Sequence, residues 1–126
     1  MYTGSCLCGG VAFEIDGELE PIQVCHCQQC RKAQGTALVT NIPVDTTQLR
    51  WVRGEDLLKG YESTPGKQRV FCRECGSPVL SRLESLPGVV RIRAGLLHEA
   101  CVTRPALHCF VDSAFTGWLI SVNLPH

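Results

Sequence analysis

The sequence lacks the features that would indicate a nucleic acid, a membrane or a secretory route. Lys plus Arg and Asp plus Glu number 12 each among 126 residues, so the net charge indicates neither nucleic-acid nor membrane-surface binding. No segment approaches the ~18 consecutive apolar residues of a membrane-spanning helix. The first residues show no basic segment followed by an apolar run, so we expect no signal peptide and a reducing, cytoplasmic location.

Internal boundaries are lacking as well. The chain contains no linker and no low-complexity tract. Its length of 126 residues is sufficient to bury a hydrophobic core without disulfides, and its hydrophobic content of 44% is ordinary for a soluble globular protein. We therefore predict a single domain that covers residues 1–126.

Cysteine, by contrast, is abundant. The chain has nine cysteines, and seven of them fall in three short groups at residues 6–8, 25–30 and 72–75. In a reducing compartment, clustered cysteines indicate metal ligands or catalytic thiols rather than disulfides. Cys101 and Cys109 lie outside these groups. For Cys109, which lies in an apolar segment, we expect the role of a small buried hydrophobe.

Short strand patterns fill most of the chain. Alternating or β-rich segments recur at intervals of about ten residues, which predicts an all-β or mainly β fold of short strands. The predicted strands cover residues 11–15, 36–42, 49–53, 57–61, 68–71, 78–83, 89–94, 106–111 and 118–122, with an extended segment at 21–24. One short helix is predicted at residues 28–34, with Gly35 at its end.

Two of these strands carry more detailed expectations. The strand at 36–42 is expected to end at Pro43, because proline cannot donate to a sheet. The strand at 89–94 alternates most regularly, which predicts that its apolar residues point inward and its arginines outward. The residues expected to point inward are Val90, Ile92 and Ala94.

Four cysteines are spaced as ligands of one structural zinc ion. Cys72 and Cys75 form the usual half-site, and Gly76 eases the turn that follows. Cys6 and Cys8 project to the same side of an extended segment and can supply the second pair. Structural zinc takes four ligands in a tetrahedral arrangement, commonly all thiolate. We therefore predict that these cysteines form a closed zinc site whose binding energy contributes to folding.

The other three clustered cysteines are Cys25, Cys27 and Cys30. Three protein ligands plus one exchangeable position is the arrangement of catalytic zinc. We therefore predict a second, open zinc site, and we expect these three cysteines to be the catalytic residues. A zinc ion held by three thiolates retains affinity for a further soft ligand, of which a thiol is the natural example.

Two alternatives to the open site remain. A histidine could close it as a fourth ligand, although His26 would point away from the neighbouring sulfurs in an extended segment. Cys27 and Cys30 could instead form a redox dithiol, although the predicted strands do not provide the α/β setting of such motifs. The histidines considered as fourth ligands are His26, His98 and His108.

An incoming thiol defines the chemistry expected at the open site. Coordination to zinc lowers the pKa of a thiol, so it would bind as a thiolate able to attack an electrophilic carbon. Arg31 and Lys32 directly follow Cys30 and are candidate binding residues for carboxylates on that thiol. The alternative for both is a solvated helix face.

Three segments of the chain resemble one known family. Residues 4–11 (GSCLCGGV), 25–35 (CHCQQCRKAQG) and 71–78 (FCRECGSP) are similar, in this order, to the glutathione-dependent formaldehyde-activating enzyme family. That family shares its domain with centromere protein V. Residues 105–108 and Trp118 resemble its C-terminal pattern more loosely, so the resemblance covers most of the chain.

The resemblance implies a fold, two metal sites and an activity. The implied fold is a β-tent, a mostly antiparallel β architecture held by zinc. The structural zinc would fall on the cysteines of residues 6–8 and 72–75, and the catalytic zinc on those of residues 25–30. The implied activity adds the thiol of glutathione to formaldehyde, which gives S-hydroxymethylglutathione, and is classed as a carbon–sulfur lyase.

Two other functions remain open. The first is a non-catalytic, zinc-stabilised module that binds glutathione or another protein, although the sequence lacks the basic extension that a chromatin partner would need. The second is a methionine sulfoxide reductase of related fold. That activity would require a nucleophilic cysteine outside the zinc sites, which Cys101 or Cys109 would have to supply.

Overall fold

The computed structural model describes residues 1–99 and the backbone of residues 105–109. Within these residues the chain forms ten β-strands and one α-helix, α1 (Gln28–Gln34). The strands are β1 (Tyr2–Ser5), β2 (Ala12–Ile15), β3 (Ile22–Cys25), β4 (Val39–Asp45), β5 (Leu49–Arg53), β6 (Leu58–Thr64), β7 (Lys67–Cys72), β8 (Pro78–Leu83), β9 (Val89–Arg93) and β10 (Pro105–Cys109). The strand predicted at 118–122 lies outside the described residues.

The strands form two sheets. One contains three strands in the order β1-β2-β5, and the other contains seven in the order β10-β3-β4-β9-β8-β7-β6. Neighbouring strands are antiparallel, except that β10 runs parallel to β3. The prediction of a mainly β fold with short antiparallel strands and one short helix is therefore confirmed. Within the part of the chain that the structure describes, no helix is both long and apolar enough to cross a membrane.

The main hydrophobic core lies between these sheets and is built from alternating strand positions. Phe13 and Ile15 of β2 are buried, as are Ile42 of β4 and Ile92 of β9, and all four belong to one packed cluster. Trp51 of β5 packs its ring edge-on against Phe13, with the ring centroids 6.0 Å apart. The period-2 pattern that predicted these strands also selects the side chains that fill the core.

Two details of the predicted strands were wrong or missed. Strand β1 was not predicted, and β4 does not end at Pro43 but continues through it to Asp45. The proline is tolerated because β3 pairs with β4 only as far as Asn41 among the described residues. Pro43 therefore lies where β4 has a single neighbour, β9, and such edge-like positions tolerate proline.

The arginines of β9 lie on the face opposite the core, as predicted, but that face is covered at Arg93. Val90 and Ile92 are buried in the core as predicted, and Ala94 packs against it, but Arg93 is buried as well, with 6% of its surface exposed. Its guanidinium donates hydrogen bonds to Asn41 of β4 and, over 3.4 Å, to Ser81 of β8. The face of the sheet opposite the core is therefore covered near β9.

Candidate metal and thiol site

Cys6, Cys8, Cys72 and Cys75 converge, so that their sulfur atoms all lie within 4.8 Å of one another. The Sγ atoms of Cys6 and Cys8 are 3.5 Å apart, and those of Cys8 and Cys72 are 3.9 Å apart. Four thiolates around one zinc ion at ~2.3 Å would be separated by about 3.8 Å, so the set fits a tetrahedral zinc ion. Because two ligands follow β1 and two come from the end of β7, this four-sulfur group connects the two sheets.

Backbone N–H groups already point at these sulfurs. The N–H of Val11 donates to Cys6 Sγ over 3.3 Å, and that of Gly10 donates to Cys8 Sγ over 3.4 Å. The pKa of Cys75 is lowered to about 5 because the hydroxyl and N–H of Ser77 stabilise its thiolate. Such donors favour the deprotonated form of cysteine, which is the form that binds metal.

Gly54 fixes the position of the loop that carries Cys6 and Cys8. It has φ +79°, and a Cβ at this position would overlap the carbonyl oxygen of Gly10 and lie 2.8 Å from the Cα of Val11. We expect Gly54→Ala to lower the free energy of unfolding by about 2–5 kcal/mol, the sum of a left-handed backbone and an overpacked contact.

Gly66 provides the matched control for this change. Its φ is +82°, but a Cβ there would meet Glu84 at an ordinary 3.7 Å. Gly66→Ala should therefore cost only the backbone contribution, about 1–2 kcal/mol. Urea unfolding followed by circular dichroism measures both, and equal losses would show that the contact with Gly10 is unimportant.

Cys25, Cys27 and Cys30 form a second group of sulfurs within 4.8 Å of one another. Cys25 ends β3, Cys27 is the N-cap of α1, and Cys30 lies in the first turn of that helix. The Sγ of Cys30 lies 3.4 Å from that of Cys25 and 2.7 Å from that of Cys27, and Cys27 Sγ accepts the N–H of Cys30 over 3.2 Å. The strand-to-helix turn thus gathers this three-sulfur group.

The electrostatics of the three-sulfur group centre on Cys30. Its pKa is lowered to about 4, chiefly by the hydrogen bond from Cys25, with further contributions from Cys27 and from Arg69. Both terminal nitrogens of the Arg69 guanidinium lie 3.7–3.8 Å from Cys30 Sγ. The pKa of Cys25 is raised, because its thiol donates to Cys30 and because it is buried. These contacts favour the thiolate form of Cys30, which is the form that binds metal.

Comparison with known proteins identifies the family. Residues 1–113 match the sequence model of the family described as glutathione-dependent formaldehyde-activating enzyme. The chain belongs to this family. A Schizosaccharomyces pombe protein named as an uncharacterized lyase is 28% identical over 76 residues, which are 60% of this chain and 53% of the relative. The chain thus aligns with about half the length of this curated relative.

A solved structure shows the same fold as this member of the formaldehyde-activating family. It is the crystal structure of a Rhodobacter sphaeroides protein with 23% sequence identity and a TM-score of 0.66. The similarity covers 82% of this chain and 99% of that protein. At this level of identity the likeness concerns the fold alone, and it agrees with the mainly β architecture described above.

The histidines considered as fourth ligands are not gathered with the three sulfurs among the described residues. His26 is buried but is not part of the three-sulfur group. His98 lies against β1, where its ring nitrogens are 2.9 Å from Ser5 Oγ and 3.2 Å from Thr3 Oγ1. The side chain of His108 lies outside the described residues, as do Cys101, the side chain of Cys109, and Trp118. The described part of the chain therefore brings three ligands together and no fourth.

Arg31 and Lys32 occupy different positions. Lys32 is exposed and lines a cavity of about 490 Å³ together with Tyr61, Arg69 and Phe71. Arg31 is half-buried and does not line that cavity; it lines another of about 310 Å³ beside the end of α1, which Lys32 also borders. Lys32 is thus the better placed of the two for a ligand bound beside Arg69, while carboxylate binding by either residue stays a prediction.

Arg69 and Arg93 are buried charged residues near the site that sequence reasoning did not assign to it. Arg69 is 7% exposed and contacts Cys30, and its Nε donates to Ser63 over 3.0 Å. The alternation of residues 89–94 predicted that Arg93 lies opposite the core, but it does not reveal that Cys25 and Cys30 lie on that face. The sequence offers one weak signal for these residues: both arginines lie on strands that also carry core residues. That signal does not by itself indicate burial.

Proposed function

We propose that this protein is a zinc-dependent carbon–sulfur lyase that joins a thiol, glutathione or a similar one, to a small aldehyde such as formaldehyde. The observation that carries the proposal is the three-sulfur group of Cys25, Cys27 and Cys30, to which no fourth ligand is added within the described residues. Membership of the formaldehyde-activating family supports the substrate pair, and the relative named as a lyase supports the reaction class.

Under this proposal the two sulfur groups have different roles. Cys6, Cys8, Cys72 and Cys75 would hold a structural zinc ion, and the three-sulfur group would hold a catalytic one. The catalytic ion, when bound, would lower the pKa of an incoming thiol so that its sulfur is nucleophilic. The seven cysteines supply thiolates only, and soft thiolate ligands of this kind favour zinc.

The residues of the chain hold and orient the reactants. The 490 Å³ cavity beside α1 lies in the size range of small-ligand sites, and Lys32 and Arg69 line it as partners for the carboxylates of a thiol. In the reaction the sulfur forms a bond to the carbonyl carbon while the π-electron pair moves to oxygen. The thiol's proton ends on that oxygen, so the product is a hydroxymethyl thioether and no redox partner is needed.

Adduct formation measured against the spontaneous rate tests the proposal. With glutathione and formaldehyde, NMR should show faster formation and breakdown of S-hydroxymethylglutathione in the presence of the wild type. Cys27→Ser should lose at least about 100-fold of this acceleration, because even a residue that only supports a metal ligand commonly contributes 10–100-fold.

Cys101→Ser serves as the matched control, since it makes the same substitution at a cysteine outside the three clusters of the sequence. It should keep the wild-type acceleration. A wild type no faster than buffer would favour the non-catalytic binding module. Methionine sulfoxide reduction that depends on Cys101 would favour the reductase instead.

A further inference from the structure

A second, smaller cavity touches the three-sulfur group and is lined by cations. It has a volume of about 180 Å³, and Cys25 and Cys30 form part of its wall. The charged side chains that line it are Lys67, Arg69, Arg91 and Arg93. Its remaining polar lining is neutral, from Gln23, Asn41 and Ser81. A cavity of ~150 Å³ admits a molecule the size of benzene, so this one is suited to a molecule of a few heavy atoms.

The positive charge of this cation-lined cavity has no carboxylate partner among the described residues. The ion pairs in that part of the chain are Arg50–Glu14 and Arg73–Glu74, and neither reaches the cavity. The three thiolates with a zinc ion would carry one net negative charge, which balances one of the four cations. Of these cations Arg69 and Arg93 are buried, and buried cations are costly unless they are paired, so the remaining charge favours an anion as the occupant.

Arg93 shows most directly that positive charge in this cavity lacks a negative partner. It is 94% buried, and its terminal nitrogen is held by Asn41 and Ser81, both neutral. Its Nε is buried and has no hydrogen-bond partner among the described residues. A guanidinium offers a planar fork of donors that matches a carboxylate, and a buried donor left unpaired is unfavourable. Both observations point to an anionic group as a partner of this side chain.

We propose that the cation-lined cavity binds the carboxylate of the electrophilic substrate, so that this protein acts on a small aldehyde acid in preference to formaldehyde. The inference rests on the proposed function and names its second substrate. A two-carbon aldehyde acid places its carbonyl carbon one bond from its carboxylate. Such a molecule can keep its carboxylate among the cations while its carbonyl lies beside the sulfurs of Cys25 and Cys30.

The two cavities divide the substrates by size. Arg69 lines both of them, with Cys30 Sγ within 3.8 Å of its guanidinium. The 490 Å³ cavity can take the peptide portion of a thiol such as glutathione, whereas 180 Å³ suits the smaller reactant. With glyoxylate, the thiol sulfur bonds to the aldehyde carbon, the carbonyl oxygen gains the proton, and the product is a 2-hydroxy-2-thio acid. Atoms and electrons balance without a further reactant.

The first experiment measures binding without turnover. Glycolate has the carboxylate but no aldehyde, and calorimetry with the zinc-loaded protein gives its affinity. Arg93→Met should weaken glycolate binding by about tenfold or more, since hydrogen bonds to charged groups are the strong ones. Arg93→Lys should restore part of the loss. Arg82→Met, an exposed arginine of β8 that does not line the cavity, should match the wild type.

Arg91→Met keeps the test usable if Arg93→Met does not fold. Arg91 is half-buried and lines the same cavity. Its replacement removes one positive charge but leaves the hydrogen bonds of Arg93 in place. It should weaken glycolate binding by a smaller factor, a few-fold. Circular dichroism and zinc content establish that each variant is folded and loaded.

The second experiment compares glyoxylate with formaldehyde as electrophile. Adduct formation above the spontaneous rate is measured with glutathione and with 2-mercaptoethanol, which has no carboxylate. The wild type should prefer glyoxylate with both thiols, and Arg93→Met should lower the glyoxylate-to-formaldehyde ratio by about tenfold. A preference for glyoxylate over formaldehyde with 2-mercaptoethanol would show that the cavity binds the carboxylate of the aldehyde substrate. A ratio that depends on Arg93 with glutathione alone would assign it to the carboxylate of the thiol and overturn the inference.

The remaining outcomes separate this inference from the proposed function. Turnover of formaldehyde without preference for glyoxylate, or glycolate binding that does not depend on Arg93, overturns the inference and leaves the lyase intact. Binding of glycolate that depends on Arg93, with no acceleration for either aldehyde, supports the anion site and contradicts the lyase.

Discussion

Cys72→Ser is expected to leave most of the protein unfolded at room temperature and to release one of the two proposed zinc ions. Cys72 is fully buried at the end of β7, and its sulfur lies 3.9 Å from that of Cys8. A structural zinc ion contributes an apparent ~10–16 kcal/mol to small zinc domains, whereas whole domains are stable by about 5–15 kcal/mol. Losing one ligand of the group that connects the two sheets therefore removes a large part of the total stability.

Val79→Ala separates this metal effect from the loss of packing. Val79 is also fully buried, and it belongs to the main core rather than to a sulfur group. Its truncation should cost roughly 2 kcal/mol and leave the zinc content unchanged. Zinc per chain by elemental analysis, together with urea unfolding, measures both variants. A Cys72→Ser protein with wild-type zinc content and midpoint would rule out the closed site.

The strands and the sulfur groups were predictable because both depend on residues that lie a few positions apart in the sequence. Alternation of period 2 placed Ile92 in the core, and ligand spacing grouped Cys72 with Cys75. Pairing between distant strands is a different kind of information. The continuation of β4 through Pro43 depends on where β3 stops pairing, which no local pattern around the proline records.

The buried arginines show the same limit at the site. In an antiparallel sheet one face commonly meets water, and the arginines of β9 were predicted to point outward. On that face Arg93 instead donates to Asn41 and Ser81, and Arg69 of β7, for which the pattern gave no prediction, contacts Cys30. Their burial follows from the cysteine-bearing segment that covers this face, a tertiary contact between residues 39 positions apart in the case of Cys30 and Arg69. Sequence spacing therefore predicted how the cysteines are grouped, whereas the charged residues around them could be identified only from the folded structure.

Cys30→Ser is expected to remove the second zinc ion while the fold is retained. Cys30 is 3% exposed, and both other sulfurs of its group, at 2.7 and 3.4 Å, converge on it. Serine is a poor ligand for zinc, so the two remaining thiolates should not hold the ion. The four-sulfur group is separate, so the sheets should stay connected, and activity should fall at least as far as in Cys27→Ser.

Zinc-edge X-ray absorption with and without glutathione tests this prediction, because it measures the number of sulfur ligands per zinc ion. In the wild type, glutathione should raise the mean number of sulfur ligands per zinc, because the proposed open site gains one. In Cys30→Ser one zinc per chain should remain, already fully sulfur-bound, and glutathione should change nothing. Val79→Ala is the control, since it truncates a buried side chain of the main core but no sulfur, and it should keep both ions and the response. Two zinc ions and an unchanged glutathione response in Cys30→Ser would exclude Cys30 as a ligand and, with it, the open site as the place where a thiol binds.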